Sequence, residues 1–193
     1  MVQFIIKIEK RQYFKTELEK KLIFEYGNPE FSQVCKPGVF HVDRTNFIPL
    51  LETSGKVLTF LRPRRFGKTM IVSMLDYYYN ILYKGQFKKL FGHLYIGKNP
   101  TSERNTFLVF RISFSNLSTM NIHSFERSLN DAINDAVRDF MVVYKEFGSI
   151  TKNIIVNQNN GISSLTSMTN SIKNSEFRSK VNDSTLSLVV CSH

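Results

Sequence analysis

The apolar residues of this chain repeat with different periods in different stretches, and each change of period marks an element. Phe14, Leu18, Leu22 and Tyr26 fall four apart, with Glu17, Glu19, Lys20 and Lys21 between them. That spacing predicts an amphipathic helix within residues 1–28, apolar on one side and charged on the other. Gly27-Asn28-Pro29 and Lys36-Pro37-Gly38 read as turns. Between them Phe31 to Val34 suits a short helix, and Val39 to Val42 then reads as a short strand. Asp43 and Thr45 are good N-caps for a helix over 46–51. Val57 to Leu61 is a short apolar run of the kind that forms a buried strand. It is stopped by Arg62-Pro63, because proline lacks an N–H and disfavours helix at the residue before it. After Gly67-Lys68-Thr69, the residues Met70, Ile71, Met74, Leu75 and Tyr78 recur at three and four, which is one face of a helix. Of Tyr77, Tyr78 and Tyr79 only Tyr78 shares that face, so packing is favoured over base stacking.

The second half shows longer periods. Lys84, Lys88 and Lys89 with Phe87, Leu90 and Phe91 form a short basic-amphipathic connection, and residues 99–102 a loop. His93 has no ligand-like neighbour in sequence. FLVFRISF, residues 107–114, alternates as a strand: Phe107, Val109, Arg111 and Ser113 on one side, Leu108, Phe110, Ile112 and Phe114 on the other. Residues 122–147 carry the longest helical pattern, with Phe125, Leu129, Ile133, Ala136, Val137 and Phe140 in register. Ser124 is its candidate cap, Gly148 its expected end, and Asp131, Asp135 and Asp139 its expected wet side. From residue 149 the composition shifts to Asn and Ser. There Ile162, Leu165, Met168 and Ile172 predict a marginal helix, with a disordered tail as the competing reading. TLSLVV, residues 185–190, is one more expected strand.

The stretch from 57 to 79 carries the candidate chemistry. Strand, basic turn, Gly-Lys-Thr and helix is the layout of a phosphate-binding loop. A helix start has N–H groups without acceptors and a dipole that favours anions. Gly67 lets the backbone pass close to phosphate. Lys68 would set its ammonium on the β- and γ-phosphates, and Thr69 would give its hydroxyl to Mg²⁺. The full pattern G-x-x-x-x-G-K-[ST] has its first glycine where this chain has Arg62. Two readings therefore stand side by side. One is a nucleotide site formed by Arg64, Arg65, Phe66, Gly67, Lys68 and Thr69. The other is a plain strand-to-helix turn with a capping residue and cations facing water.

The segment FHVDRTNFIPLLETSGKVLTFLRPRRFGKTMIVSMLDYYY resembles the AAA-ATPase-like family of predicted P-loop NTPases. In that family a VDKT-x-hydrophobic-I segment precedes an LRPRRFGKS/T loop. Phe40, Val42, Asp43, Arg44, Thr45, Phe47 and Ile48 match the first element, and residues 61–69 the second. The family also writes Arg-Pro-Arg-Arg where other NTPases write glycines. The resemblance implies an α/β fold: a P-loop NTPase-like partial parallel sheet flanked by helices, with an N-terminal helical segment. The expected organisation is that segment over 1–28, the P-loop domain over 29–148 and a divergent Asn/Ser-rich segment over 149–193. ATP and Mg²⁺ are the implied ligands, with the element around Asp43 beside the nucleotide. Two of the family's acids are missing. A strand end that often carries Asp before Phe-Ser has Ser113. The Leu-Ile-Asp-Glu segment that follows a later strand, the Walker B pair, is replaced by Cys191, Ser192 and His193. The expectation is a shortened or divergent member that binds nucleotide and hydrolyses it slowly or not at all. The family's C-terminal nuclease-like region is not expected.

Composition adds one feature. At 193 residues and 42% hydrophobic, with 17 Phe, the chain suits one domain with a real core. Its formal net charge is +10, which favours polyanionic partners (nucleotides, nucleic acid or an anionic membrane), with a merely solvated basic surface as the equal competing reading. A non-enzymatic nucleic-acid-binding module is therefore the alternative, and a decayed fragment without activity the third reading. Cys35 and Cys191 lie far apart and without metal-site spacing, as expected of reduced thiols in an intracellular protein, cytoplasmic or nuclear. The N-terminal apolar run is too short and too charged to span a membrane.

Overall fold

The computed structural model describes residue 23, residues 27–28, 30–36, 38–55, 58, 60, 63 and 66–175, and the backbone of 186–191. Among these the chain is mixed α/β, with two apolar cores. The first is built from short helices. They are α1 (Phe31–Val34), α2 (Ile48–Thr53), α3 (Lys68–Tyr79), α4 (Phe87–Phe91) and α5 (Tyr95–Lys98). Short 3₁₀ turns over Thr45–Phe47 and Ile81–Gln86 lead into α2 and α4. Helices this short bury little aliphatic surface each, and the phenylalanines make up the deficit, since each aromatic ring removes a large area from water. Phe31, Tyr78 and Phe91 are fully buried. Phe31 stacks on Phe91 at 5.0 Å between ring centres, and Tyr78 meets Phe91 edge-on at 5.6 Å. Met74 and Tyr78 are the buried members of the predicted α3 face, so the tyrosine triplet divides as its spacing predicts.

The second core lies on β1 (Leu108–Ser113), which pairs in parallel with β2 (Leu186–Cys191) in a register running from Leu108 opposite Leu186 to Ser113 opposite Cys191. Leu108, Phe110 and Ile112 pack under α6 (Ile122–Val143), together with Val137, Phe140 and Tyr144. The short α7 (Gly148–Thr151) and α8 (Gly161–Lys173) complete this core with Ile150 and Met168. α8 is rich in weak helix formers, and polar contacts hold it. The Asn160 side chain caps it through the Ser163 N–H, and buried Ser164 donates to Asn134 Oδ1 of α6 at 2.6 Å.

Backbone and side-chain hydrogen bonds connect the cores. Phe107 bridges to Asn80, its N–H donating to the Tyr79 carbonyl and its carbonyl accepting from Ile81, both at 2.9 Å. Asn105, at φ 52°, donates its backbone N–H to the Tyr78 carbonyl and Nδ2 to the Asn80 carbonyl. Further along the same edge of β1, the Val109 N–H donates to the buried Tyr144 hydroxyl at 2.7 Å. The 79–81 segment and the Tyr144 hydroxyl thus occupy hydrogen-bonding positions that another strand would otherwise take.

Several expectations are corrected. Of the expected Val57–Leu61 strand only Leu58 and Phe60 are described. Neither lies in a strand, and both are about half exposed, so the P-loop strand is not seen among the described residues. Residues 39–42 form no strand but one parallel bridge, Val39 with Ile23, and Phe40 and Val42 stay about half exposed. The cap of α6 is Asn121, with Ser124 completing a reciprocal capping box three residues on. α6 stops at Val143, and Gly148 opens α7 rather than closing α6. The expected helix through Phe14, Leu18, Leu22 and Tyr26 lies outside the described residues.

Candidate functional site

Gly67 is the residue before α3, with φ 74° and ψ 22°. This is the left-handed region, which glycine enters without a Cβ penalty. From there the chain turns directly into the helix, the Ile71 N–H bonding the Gly67 carbonyl at 3.0 Å. As N-cap, Gly67 brings no side-chain oxygen to the first turn, so no cap of its own competes with an anion there. Lys68 and Thr69 are the first two helical residues, both partly buried, and Phe66 is exposed. Arg64 and Arg65 lie outside the described residues.

Thr69 lines a cleft of about 740 Å³ between α3, β1 and α6. Ser113, Ser115 and Asn116, at the C-terminal end of β1, line the same cleft, and the Ser113 and Ser115 hydroxyls are 3.0 Å apart. Asp76, two turns beyond Thr69, meets Arg111 at 3.3 Å and accepts from Asn80 Nδ2 at 2.9 Å. Burial pushes the Asp76 carboxyl up, while Asn80 and Arg111 pull against it. Asp131, Asp135 and Asp139 are exposed as expected, but they form a wall of this cleft.

A model of the AAA-ATPase-like family, described as a predicted AAA-ATPase, matches residues 25–182. The chain belongs to the AAA-ATPase-like family. Comparison with curated proteins and with solved structures finds no match. Among the described residues no helix is long and apolar enough to cross a membrane.

In this AAA-ATPase-like chain the VDRT segment acts as a clamp. Asp43 and Thr45 cap α5, fifty residues downstream, rather than the helix that follows them. Asp43 Oδ2 accepts from the Tyr95 N–H at 2.7 Å, and Thr45 Oγ1 from the Ile96 N–H at 3.1 Å. Asp43 Oδ1 also accepts the Thr45 N–H and hydroxyl, at 2.8 and 2.7 Å. Burial alone would raise the Asp43 carboxyl, but the hydrogen bonds from Tyr95 and Thr45 outweigh it and hold the group below the usual carboxylate range. Between these residues, Arg44 reaches the loop: a Cβ on Gly67 would sit 3.8 Å from Arg44 Nη1. The two motif segments therefore meet in space.

His93 does have a partner, 58 residues away: its Nε2 lies 3.5 Å from Cys35 Sγ. Burial, with Asp43 adding to it, pushes the Cys35 thiol up to about 12, which makes it a poor nucleophile. Among the described residues no group of three His, Cys, Asp or Glu is placed to hold a metal ion. Sequence reasoning missed the Asp76–Arg111 pair. The signal was present, because Asp76 stands seven residues after Thr69 and so shares its helix face.

Proposed function

We propose that this AAA-ATPase-like domain binds ATP, with Mg²⁺, at the turn that opens α3. One observation carries the reading. Thr69 and Ser113 open onto one cleft, so the start of α3 and the C-terminal end of a parallel strand lie on the same side. Open parallel α/β sheets take their ligands at that side. The residues at the turn fit a phosphate group. Gly67 in the left-handed region leaves the approach clear of a Cβ, the first amides of α3 suit an anion, and Lys68 supplies the ammonium. Mg²⁺ would accompany the triphosphate, drawing most of its oxygens from phosphate and water and one from the Thr69 hydroxyl. When bound, it neutralises phosphate charge. Arg64, Arg65 and Phe66 belong to the site by motif, the two arginines adding positive charge.

The reading is binding with slow or no turnover. A P-loop hydrolase needs an acid at a strand end near the metal, and this strand end offers the Ser113 and Ser115 hydroxyls instead. Titration of a fluorescent ATP analogue in the presence of Mg²⁺ tests the proposal. Wild type is expected to bind, and Lys68→Ala to bind at least about tenfold more weakly, as the loss of one charge-assisted contact implies. Equal affinities would refute the site. Any phosphate release that persists in Lys68→Ala would belong to a contaminant.

A further inference from the structure

We infer that Arg44 is a second phosphate-binding cation of this site, held there by the Asp43–Thr45 clamp. This rests on the nucleotide reading above. Arg44 is partly buried, and its guanidinium lies beside Gly67, at the turn where the phosphates would be held. Among the described residues it takes part in neither ion pair, which are Arg111 with Asp76 and Arg138 with Asp135. Its nearest acid in sequence is committed elsewhere, since both oxygens of Asp43 are occupied by Thr45 and Tyr95. His41, also near Arg44, is held in its neutral form chiefly by burial and offers no counter-charge.

A partly buried guanidinium with no carboxylate bonded to it among the described residues is suited to an anionic ligand that would complete it. Its planar fork matches two phosphate oxygens at once. The clamp gives this placement a cause. Asp43 and Thr45, on either side of Arg44, anchor the backbone to the first turn of α5. The backbone from which Arg44 extends is thereby held beside the loop, and its guanidinium lies next to Gly67. Such an arrangement supplies positive charge from outside the loop, in a loop that has Arg62 where the standard pattern has its first glycine.

The test uses the full chain, a fluorescent ATP analogue with Mg²⁺, and competition by ATP, ADP and AMP. Arg44→Ala is expected to weaken ATP binding about tenfold or more and to narrow the preference for ATP over AMP. Arg44→Lys, which keeps the charge and loses the fork, is expected to recover part of the loss. The melting temperature without nucleotide should stay near wild type, because Arg44 makes no hydrogen bond among the described residues. If Arg44→Ala melts early, Arg44→Gln, which keeps most of the length, takes its place. Wild-type affinity in the Arg44 variants, with Lys68→Ala weakened, would overturn Arg44 alone. Absence of binding by wild type, or equal binding by Lys68→Ala, would overturn the nucleotide reading and this inference with it.

Discussion

Replacing Tyr144 by Phe isolates the hydroxyl that bonds both the N–H and the carbonyl of Val109 in the second core. The phenol is fully buried, and its oxygen accepts the Val109 N–H at 2.7 Å. The ring packs against Phe140 at 4.5 Å and Phe147 at 6.1 Å between centres. A phenylalanine keeps those ring contacts and removes only the oxygen. Val109 is itself buried, so its N–H would be left without an acceptor. An unsatisfied buried donor costs about 1–3 kcal/mol, and about 2 kcal/mol is the central expectation. For a chain of this size that lowers the melting temperature by about 4–8 °C. Tyr144→Ala, which also opens a cavity, should cost about 3–5 kcal/mol. Thermal and urea unfolding followed by circular dichroism measure both. If Tyr144→Phe falls within about 0.5 kcal/mol of wild type while Tyr144→Ala is strongly destabilised, the oxygen contributes nothing. Ring packing alone would then hold α6 to β1.

Two further outcomes follow from the first core. A Cβ at Gly97 would lie 1.8 Å from the Phe91 carbonyl oxygen and 2.4 Å from its carbon. Gly97→Ala must therefore move the backbone where α4 and α5 touch, and is expected to cost more than about 3 kcal/mol in urea unfolding. Asp43→Asn places an amide N–H against the Tyr95 N–H or gives up a bond to Thr45, and should cost about 1 kcal/mol for so exposed a group. The folded-state Asp43 carboxyl is held below its ordinary value. Its contribution is therefore complete above the unfolded pKa of about 3.9 and is lost as pH falls through the folded value. Stability curves of wild type and Asp43→Asn are expected to differ at pH 6 and to approach each other below about pH 4. A constant gap across that range would remove the carboxylate from the clamp.

The elements legible in the sequence were those long enough to show a period. α3, β1, α6 and β2 were each read from alternation or three-four spacing, and α8 from four apolar residues among polar ones. α5 has only four residues and no period of its own. Its capping groups come from Asp43 and Thr45, so no local pattern could announce it. The stretch at 39–42 reads as a strand because it is apolar, yet apolar composition alone does not create a pairing partner, and Phe40 and Val42 remain about half exposed. At the candidate site, Gly67, Lys68 and Thr69 were legible because their spacing is itself the motif. The approach of Arg44 to Gly67, and of Cys35 to His93, depends on chain reversals between distant segments, and one-dimensional spacing carries no record of those. The acids of α6 fall opposite its apolar face and are exposed, as that spacing implies. That they share a cleft with Thr69 is a property of how α3 and α6 flank β1.

Apart from α3, the helices of the first core have between four and six residues. Segments of that length do not persist alone in water, because the free energy of starting each one is not recovered before it ends. They exist only as a collective, every turn waiting on rings and caps lent by the others. The turn before α3 therefore inherits its shape from a cooperative unit, and a lesion at Phe31 or Phe91 would disturb that turn together with the rest.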